Sequence, residues 1–318
     1  VTGPARTIVV AIGGNALSPS GETASVHNQF RHTRDSLEVI VPLAAAGWRI
    51  AIVHGNGPQV GDALVRNEAA RSLVDPLPLG VLVAGTAGWI GYMIQQSLEN
   101  ALARQGCERP VVTLICQARV DEDDPALREP TKFVGRSLDA ETAATLRAAG
   151  VRVEEDGNGN LRRLVPSPVP VEIVESRMVA DLVGRGDIVI AAGGGGIPAY
   201  RDPELGLEGI DAVVDKDRAA AILAREIGAE VLLILTDVDG VYEGWGTAEA
   251  RRLDRLTLAG ARDLLAGTEL RGGAGSMRPK VEAAVEFVAA GGRRAVIAAL
   301  EDGPAAVDGR AGTTITSG

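Results

Sequence analysis

A chain of 318 residues can bury a sizeable core, either as one large domain or as two lobes. Its formal charge of -10 and isoelectric point near 5.0 disfavour nucleic acid or an anionic membrane as a partner, because both select basic surfaces; any anion must be caught locally. Cys107 and Cys116 lack metal-site spacing and predict neither a disulfide nor zinc, and Val1–Arg6 has no charged run leading into an apolar core, so the chain reads as cytoplasmic and without a signal peptide.

In chain order, short apolar and β-branched runs predict buried strands at Thr7–Ile12, Arg49–Val53, Val111–Ile115, Asp187–Ala191, Val231–Leu235 and Ala295–Ala298. Stretches of helical period, such as Asp139–Ala149 and Ala219–Ile227, lie between most of them. Pro76–Leu98 carries no charge and is long enough to span a bilayer. Its Pro76, Pro78, Gly80, Gly85, Gly88, Gly91, Gln95 and Gln96 make a poor lipid-facing helix, so it reads as a buried helix or a subunit interface. The exception to the alternation is Gln117–Pro170, where acidic Asp121–Asp124 and the turn Asp156-Gly157-Asn158-Gly159 between polar strands predict an inserted hairpin that projects from the sheet. The whole predicts an α/β fold, a three-layer αβα sandwich around a mainly parallel sheet. No Gly/Ser-rich or Pro-rich linker separates the two halves, which are expected to pack closely.

Ligands in such folds bind beyond the carboxyl ends of the strands, and three glycine-rich loops fall there. Gly13-Gly14-Asn15 follows the first strand, Gly55-Asn56-Gly57 the second, and Gly193-Gly194-Gly195-Gly196-Ile197-Pro198 a third. Glycines let backbone N–H groups approach an anion, although a glycine turn after a buried strand is ordinarily just a turn. A dinucleotide fingerprint fits the third loop poorly, since its last glycine would fall on Pro198 or Ala199 and Pro198 and Pro203 oppose a helix there. A Walker A loop is excluded because no lysine follows a glycine. Only three of the 32 basic residues are lysines, Lys132, Lys216 and Lys280. Where generic charge has gone to arginine, a retained lysine marks a place that needs a compact, flexible ammonium.

These segments resemble the carbamate kinases of the amino acid kinase superfamily over nearly the whole chain. The resemblance is carried by Gly13–Leu17, His54–Gly61, Asn67–Ala70, Gly91-Tyr92-Met93 with Gln95-Gln96, Asp121–Pro125 and Pro130-Thr131-Lys132. It continues through Pro166-Ser167-Pro168, Gly193–Pro198, Asp215-Lys216-Asp217, Leu235–Tyr242, Gly275-Ser276-Met277 and Pro279-Lys280. It implies an N-terminal lobe for carbamate or carbamoyl phosphate (1–212), a C-terminal nucleotide lobe (213–318) and a protruding subdomain at about 117–170. It also implies a homodimer and magnesium used with ATP or ADP, with the metal's ligands left open. By matching motifs, Gly13, Gly14, Asn15, Gly55, Asn56 and Gly57, with Gly194 and Gly195 of the third loop, would hold the acceptor and the transferring phosphate. Thr236, Asp237, Val238, Tyr242, Ser276 and Met277 would surround the nucleotide.

Phosphoryl transfer passes through a loose transition state that needs alignment and charge, which lysines supply. Lys216 and Lys280 would neutralise phosphate oxygens, Asp217 would orient the lysines, and Lys132 would swing in from the inserted element. Carbamate is already an anion, so no general base is needed and none of His27, His32 and His54 is assigned one. Taken alone, Asp215 and Asp217 also suit a helix N-cap and a first-turn acid. Arg278, Phe133, Val169 and the pair Thr86-Ala87 depart from the family pattern of glycine, proline, lysine and Ser-Gln. They leave room for a kinase acting on another small carboxylate, phosphonate or phosphate, or for a non-catalytic ligand-binding regulator. Arg278 in particular stands where its bulk or charge would tune nucleotide affinity.

Overall fold

Six consecutive parallel strands form the spine of the molecule, and their sequences explain why. Ile8–Ile12, Ile50–His54, Ile188–Ile190 and Val231–Leu235 are buried throughout, as strands covered on both faces must be. The computed structural model describes residues 6–18, 25–267, 270 and 277–318, without the side chain of Asn15. In it eight strands run Arg255–Thr257, Thr313–Thr316, Arg294–Ala299, Val231–Thr236, Thr7–Ile12, Arg49–His54, Ile188–Ile190 and Val111–Thr113. The first two oppose the rest, since Thr313–Thr316 pairs antiparallel with Arg294–Ala299.

Alternate residues of each strand serve two cores. Ile8, Val10, Ile52 and Leu233 face a cluster closed by Ile90, Ile94, Leu98 and Leu102 of the helix Leu79–Arg104. Val9, Ala11, Val53 and Ile234 face the other, built on the helices Ser176–Arg185, Lys216–Glu226 and Met277–Ala289. Each fully buried Ile, Leu or Val contributes about 1.5–3 kcal/mol relative to leaving it exposed. The two halves of the chain join at Thr7–Ile12 and Val231–Thr236, in register from Ile8↔Val231 to Ile12↔Leu235, so they share one sheet and both cores. The uncharged stretch Pro76–Leu98 lies mostly within Leu79–Arg104, and among the described residues no helix is long and apolar enough to cross a membrane.

The inserted element contains the expected hairpin, Val153–Glu155 with Leu161–Val165, turning at Asp156. It is larger than a hairpin, because Lys132–Leu138 adds a third strand and the helix Ala140–Ala148 packs beside them, capped by Asp139 accepting from Thr142 N at 2.7 Å. Its base, Gln117–Val120 and Pro170–Ile173, joins a four-stranded sheet with Ile197–Asp202 and Gly206–Gly209. The third glycine loop therefore leads into a strand, as its prolines required.

Candidate active site

Four neighbouring strands deliver the site, because the loops after Ile12, His54, Ile190 and Thr236 all leave the same edge of the sheet. The glycine loops touch one another. A Cβ built on Gly55 would lie 2.8 Å from the amide nitrogen of Gly14 and 3.3 Å from Cδ of Lys216, so no side chain fits there. Gly194 is pressed against the Asn56 amide and Gly195 against the Val214 carbonyl, where a Cβ would lie 2.3 and 2.4 Å away. Both have positive φ, which only glycine adopts readily. Glycines of three loops thus pack tightly beside Lys216, Gly55 N donating to the Ile12 carbonyl and Gly195 N to the Ala192 carbonyl, with Gly57 starting the helix Gly57–Ala69 and Pro58 at its first turn.

The helix Lys216–Glu226 begins beside these loops and carries the charges. Asp215 caps it, its Oδ1 accepting from Asp217 N at 2.9 Å and Arg218 N at 3.3 Å. Asp217 in the first turn is almost fully buried and accepts from two lysines, Lys216 on Oδ1 and Lys280 on Oδ2, the latter at 3.2 Å. Lys280 comes from the helix Met277–Ala289, which packs along Lys216–Glu226. From the inserted subdomain, Lys132 Nζ donates to the other oxygen of Asp215 at 2.5 Å. The structure therefore brings together all three lysines of the chain around two adjacent carboxylates. Capping and charge placement coexist at Asp215: one oxygen holds the helix and the other holds Lys132.

Electrostatics keep the two carboxylates of this cluster ionised. Burial pushes the Asp215 carboxyl up, but Lys132, Lys216 and Lys280 outweigh it and hold the group well below the ordinary carboxylate range. Asp217 is likewise lowered, burial being overcome by Lys216 and Lys280. Burial is also the largest influence on the two enclosed lysines. It prevails at Lys216, whose affinity for its proton is lowered despite Asp217, whereas Asp217 and Asp215 prevail at Lys280, which is raised. The site sets three basic side chains against two carboxylates in an acidic protein, which answers the requirement that an anion be caught locally.

Asn56 is buried and donates from Nδ2 to Thr86 Oγ1 at 2.9 Å, while Thr86 is itself anchored to the carbonyls of Leu82 and Val83. The departure at Thr86 thus sits directly behind a predicted ligand-binding residue. His54 is fully buried, its Nδ1 3.1 Å from the Gly55 carbonyl and its Nε2 without a partner; burial lowers its pKa from 6.5 to about 4, so it is neutral near pH 7. It forms a wall and is not a base. Among the residues expected around the nucleotide, Thr236 Oγ1 donates to Asp237 at 3.0 Å and Tyr242 Oη to Asp239 at 2.8 Å, with Trp245 packed edge-on against Tyr242. Met277 opens its helix, Val238 is half-buried, and Ser276 lies outside the described residues.

The other departures have local explanations. Arg278 donates to the Leu265 carbonyl at 2.9 Å and pairs with Glu282 at 3.0 Å, which ties it to the helix Leu258–Ala266. Phe133 stacks under Arg162, and the Val169 N–H donates to Asp124. Asp215 as the partner of Lys132 is a site contact that the sequence did not signal, since the two lie 83 positions apart.

Comparison with known proteins identifies the family. Residues 6–299 match the model of the amino acid kinase family. The carbamate kinase of Halobacterium salinarum is 47% identical over 313 residues, covering 96% of this chain and 97% of that protein. Giardia lamblia carbamate kinase bound to citric acid superposes with a TM-score of 0.92 at 35% identity, covering 98% of each chain. The same enzyme bound to AMP-PNP superposes with a TM-score of 0.89 at 35% identity, again covering 98% of each chain. With a family model matching most of its length and full-length relatives of this closeness, the chain belongs to the carbamate kinases of the amino acid kinase family.

Proposed function

We propose that the protein transfers a phosphoryl group reversibly between ATP and carbamate. The observation that carries this reading is the convergence of Lys132, Lys216 and Lys280 on Asp215 and Asp217, beside the closely packed glycine loops. In the direction of carbamoyl phosphate, a carbamate oxygen forms the new P–O bond as the bond from the γ-phosphorus to the β,γ-bridging oxygen breaks. The electron pair stays on the ADP oxygen, and no proton moves. Catalysis then reduces to alignment and charge. Lys216, beside the glycine loops, would meet the transferring oxygens, and Lys280, from the C-terminal half, would meet the bridging side. Asp217 orients both, and Lys132 would exchange Asp215 for the acceptor.

In this reading 1–212 forms the acceptor lobe, with Gly13, Gly14, Asn15, Gly55, Asn56, Gly57, Gly194 and Gly195 around carbamate and phosphate. The remaining 213–318 forms the nucleotide lobe, with Thr236, Asp237, Val238, Tyr242, Ser276 and Met277. Magnesium would arrive on the nucleotide phosphates, where it neutralises their charge. The donor set suits that role, because among the described residues no three His, Cys, Asp or Glu side chains gather into a protein cage, and magnesium keeps few protein ligands. A homodimer is also proposed, through the exposed face of Leu79–Arg104 that carries Val81 and Tyr92 beside Ile115. A dimer mass in solution that falls to the monomer in Tyr92→Glu would support it, and a monomeric parent protein would end it.

The acceptor is tested by comparing carbamate with acetate, small phosphonates and phosphate at fixed ATP. Carbamate should exceed every other acceptor in kcat/KM by at least about tenfold. A better alternative acceptor would replace the substrate while keeping the kinase.

A further inference from the structure

The motif that begins at His54 continues to Gly61, yet only its first part belongs to the glycine loop. Gly61 lies one turn into the helix Gly57–Ala69, about 6 Å along the axis from Gly57, beyond contact with an anion held by the loop. It meets the inserted subdomain instead. A Cβ on Gly61 would lie 1.9 Å from Gly135 Cα and 2.5 Å from Gly135 N, so helix and strand cross backbone to backbone. Gly135 has φ +76 and lies where the pairing of Lys132–Leu138 with Leu161–Val165 shifts register. The crossing is clamped on several sides. Val60 and Leu64 of the helix share an apolar cluster with Val134 and Val165 of the subdomain. Asp62 pairs with Arg136 at 3.3 Å and Glu68 with Arg163 at 3.7 Å.

The strand so clamped begins with Lys132, three residues and about 10 Å before the crossing. The helix so clamped begins at Gly57 of the phosphate loop. One contact therefore links the element that holds the anion to the element that brings in the third lysine. We propose that the Gly61–Gly135 crossing is a seat that sets the reach of Lys132 into the reaction centre, making Gly61 a positioning residue for phosphoryl transfer. The proposal rests on the carbamate kinase reading of the site. A side chain at Gly61 must lift the strand by about 1.5 Å to restore ordinary contact at 3.4 Å. Misplacement of about 1 Å at a reacting group costs on the order of 10²-fold in rate.

The test is steady-state ATP formation from carbamoyl phosphate and ADP by Gly61→Ala, Lys132→Ala and the double variant, with Gly184→Ala as a control at a glycine open to solvent. Gly61→Ala should lower kcat about 30- to 100-fold with the KM for ADP within about twofold, and should add less than about threefold to the loss in Lys132→Ala. Unchanged kcat, an equal weakening of ADP binding, or losses that multiply in the double variant would overturn the seat. Gly135→Ala, with a contact at 3.1 Å to Gly61 Cα, carries the same test if Gly61→Ala does not fold. Hydrogen exchange of 132–138 separates this proposal from the kinase reading. If the parent protein forms no ATP, the reading fails, while faster exchange in Gly61→Ala still supports the seat and unchanged exchange overturns it.

Discussion

Asp217→Asn removes one charge from the centre of the lysine cluster and leaves the volume intact. In the parent protein the two carboxylate oxygens each accept from a lysine, and all three side chains are nearly enclosed. The amide keeps one acceptor, and its NH₂ would face the other ammonium donor to donor. Removing one partner of a buried ion pair costs about 3–5 kcal/mol, and because Asp215 continues to attract both lysines the lower end, about 3 kcal/mol, applies. That is a large share of a typical stability of about 5–15 kcal/mol, so the variant should fold with Tm lowered by roughly 4–5 °C. Turnover should fall further, by about 10²–10³, since two phosphate-facing ammoniums lose their fixed position. Without the carboxylate, Lys216, already lowered by burial, holds its proton less tightly still, so the alkaline limb of activity should move to lower pH. Calorimetry and a pH–rate profile measure all three effects. An Asp217→Asn enzyme with parental kcat and an unmoved alkaline limb would refute the claim that this carboxylate holds the lysines in place.

Thr86→Val leaves the buried Asn56 amide without its acceptor, a loss of about 1–3 kcal/mol, and should reduce kcat/KM for the acceptor about tenfold while Thr86→Ser restores it; equal kinetics in both variants would remove Thr86 from the site. Arg278→Gly breaks a half-exposed ion pair and one carbonyl contact, so the KM for nucleotide should rise by about two- to fivefold with kcat unchanged; an unchanged KM would discard any tuning role. His54 titrates near 4 in the folded protein and near 6.5 unfolded, so the unfolded chain takes up the proton first as pH falls. Stability is therefore full above about pH 6.5 and declines toward pH 4 by roughly 3 kcal/mol, and His54→Asn should flatten that part of a urea-unfolding series; an identical slope would contradict the neutral, buried histidine.

Buried parallel strands were legible because they are continuous apolar runs, and the loops that matter follow directly from them. The edge strand Arg255–Thr257 and its neighbour Thr313–Thr316 are only three and four residues long and leave no such run. Val111–Thr113 stops before the predicted Ile115, which is exposed at the end of the sheet. The helix predicted from Ala219 begins at Lys216, because Asp215 caps it earlier than the apolar period shows. The lysines announced themselves by scarcity. Their geometry was less visible, since a carboxylate that caps a helix and also binds a lysine 83 residues away uses contacts that only the folded chain creates. The third strand of the inserted subdomain escaped notice for a related reason: Lys132–Leu138 is largely polar and half-exposed, and it is held by Gly61 and Leu161–Val165, not by its own pattern.

The most direct measurement is ATP formation from ADP, magnesium and carbamoyl phosphate by the purified protein beside Lys216→Ala. The account predicts robust turnover in the parent protein and a loss of at least about 10²-fold in the variant, with its fold intact by circular dichroism. No turnover in the parent protein, or full turnover in Lys216→Ala, would contradict it.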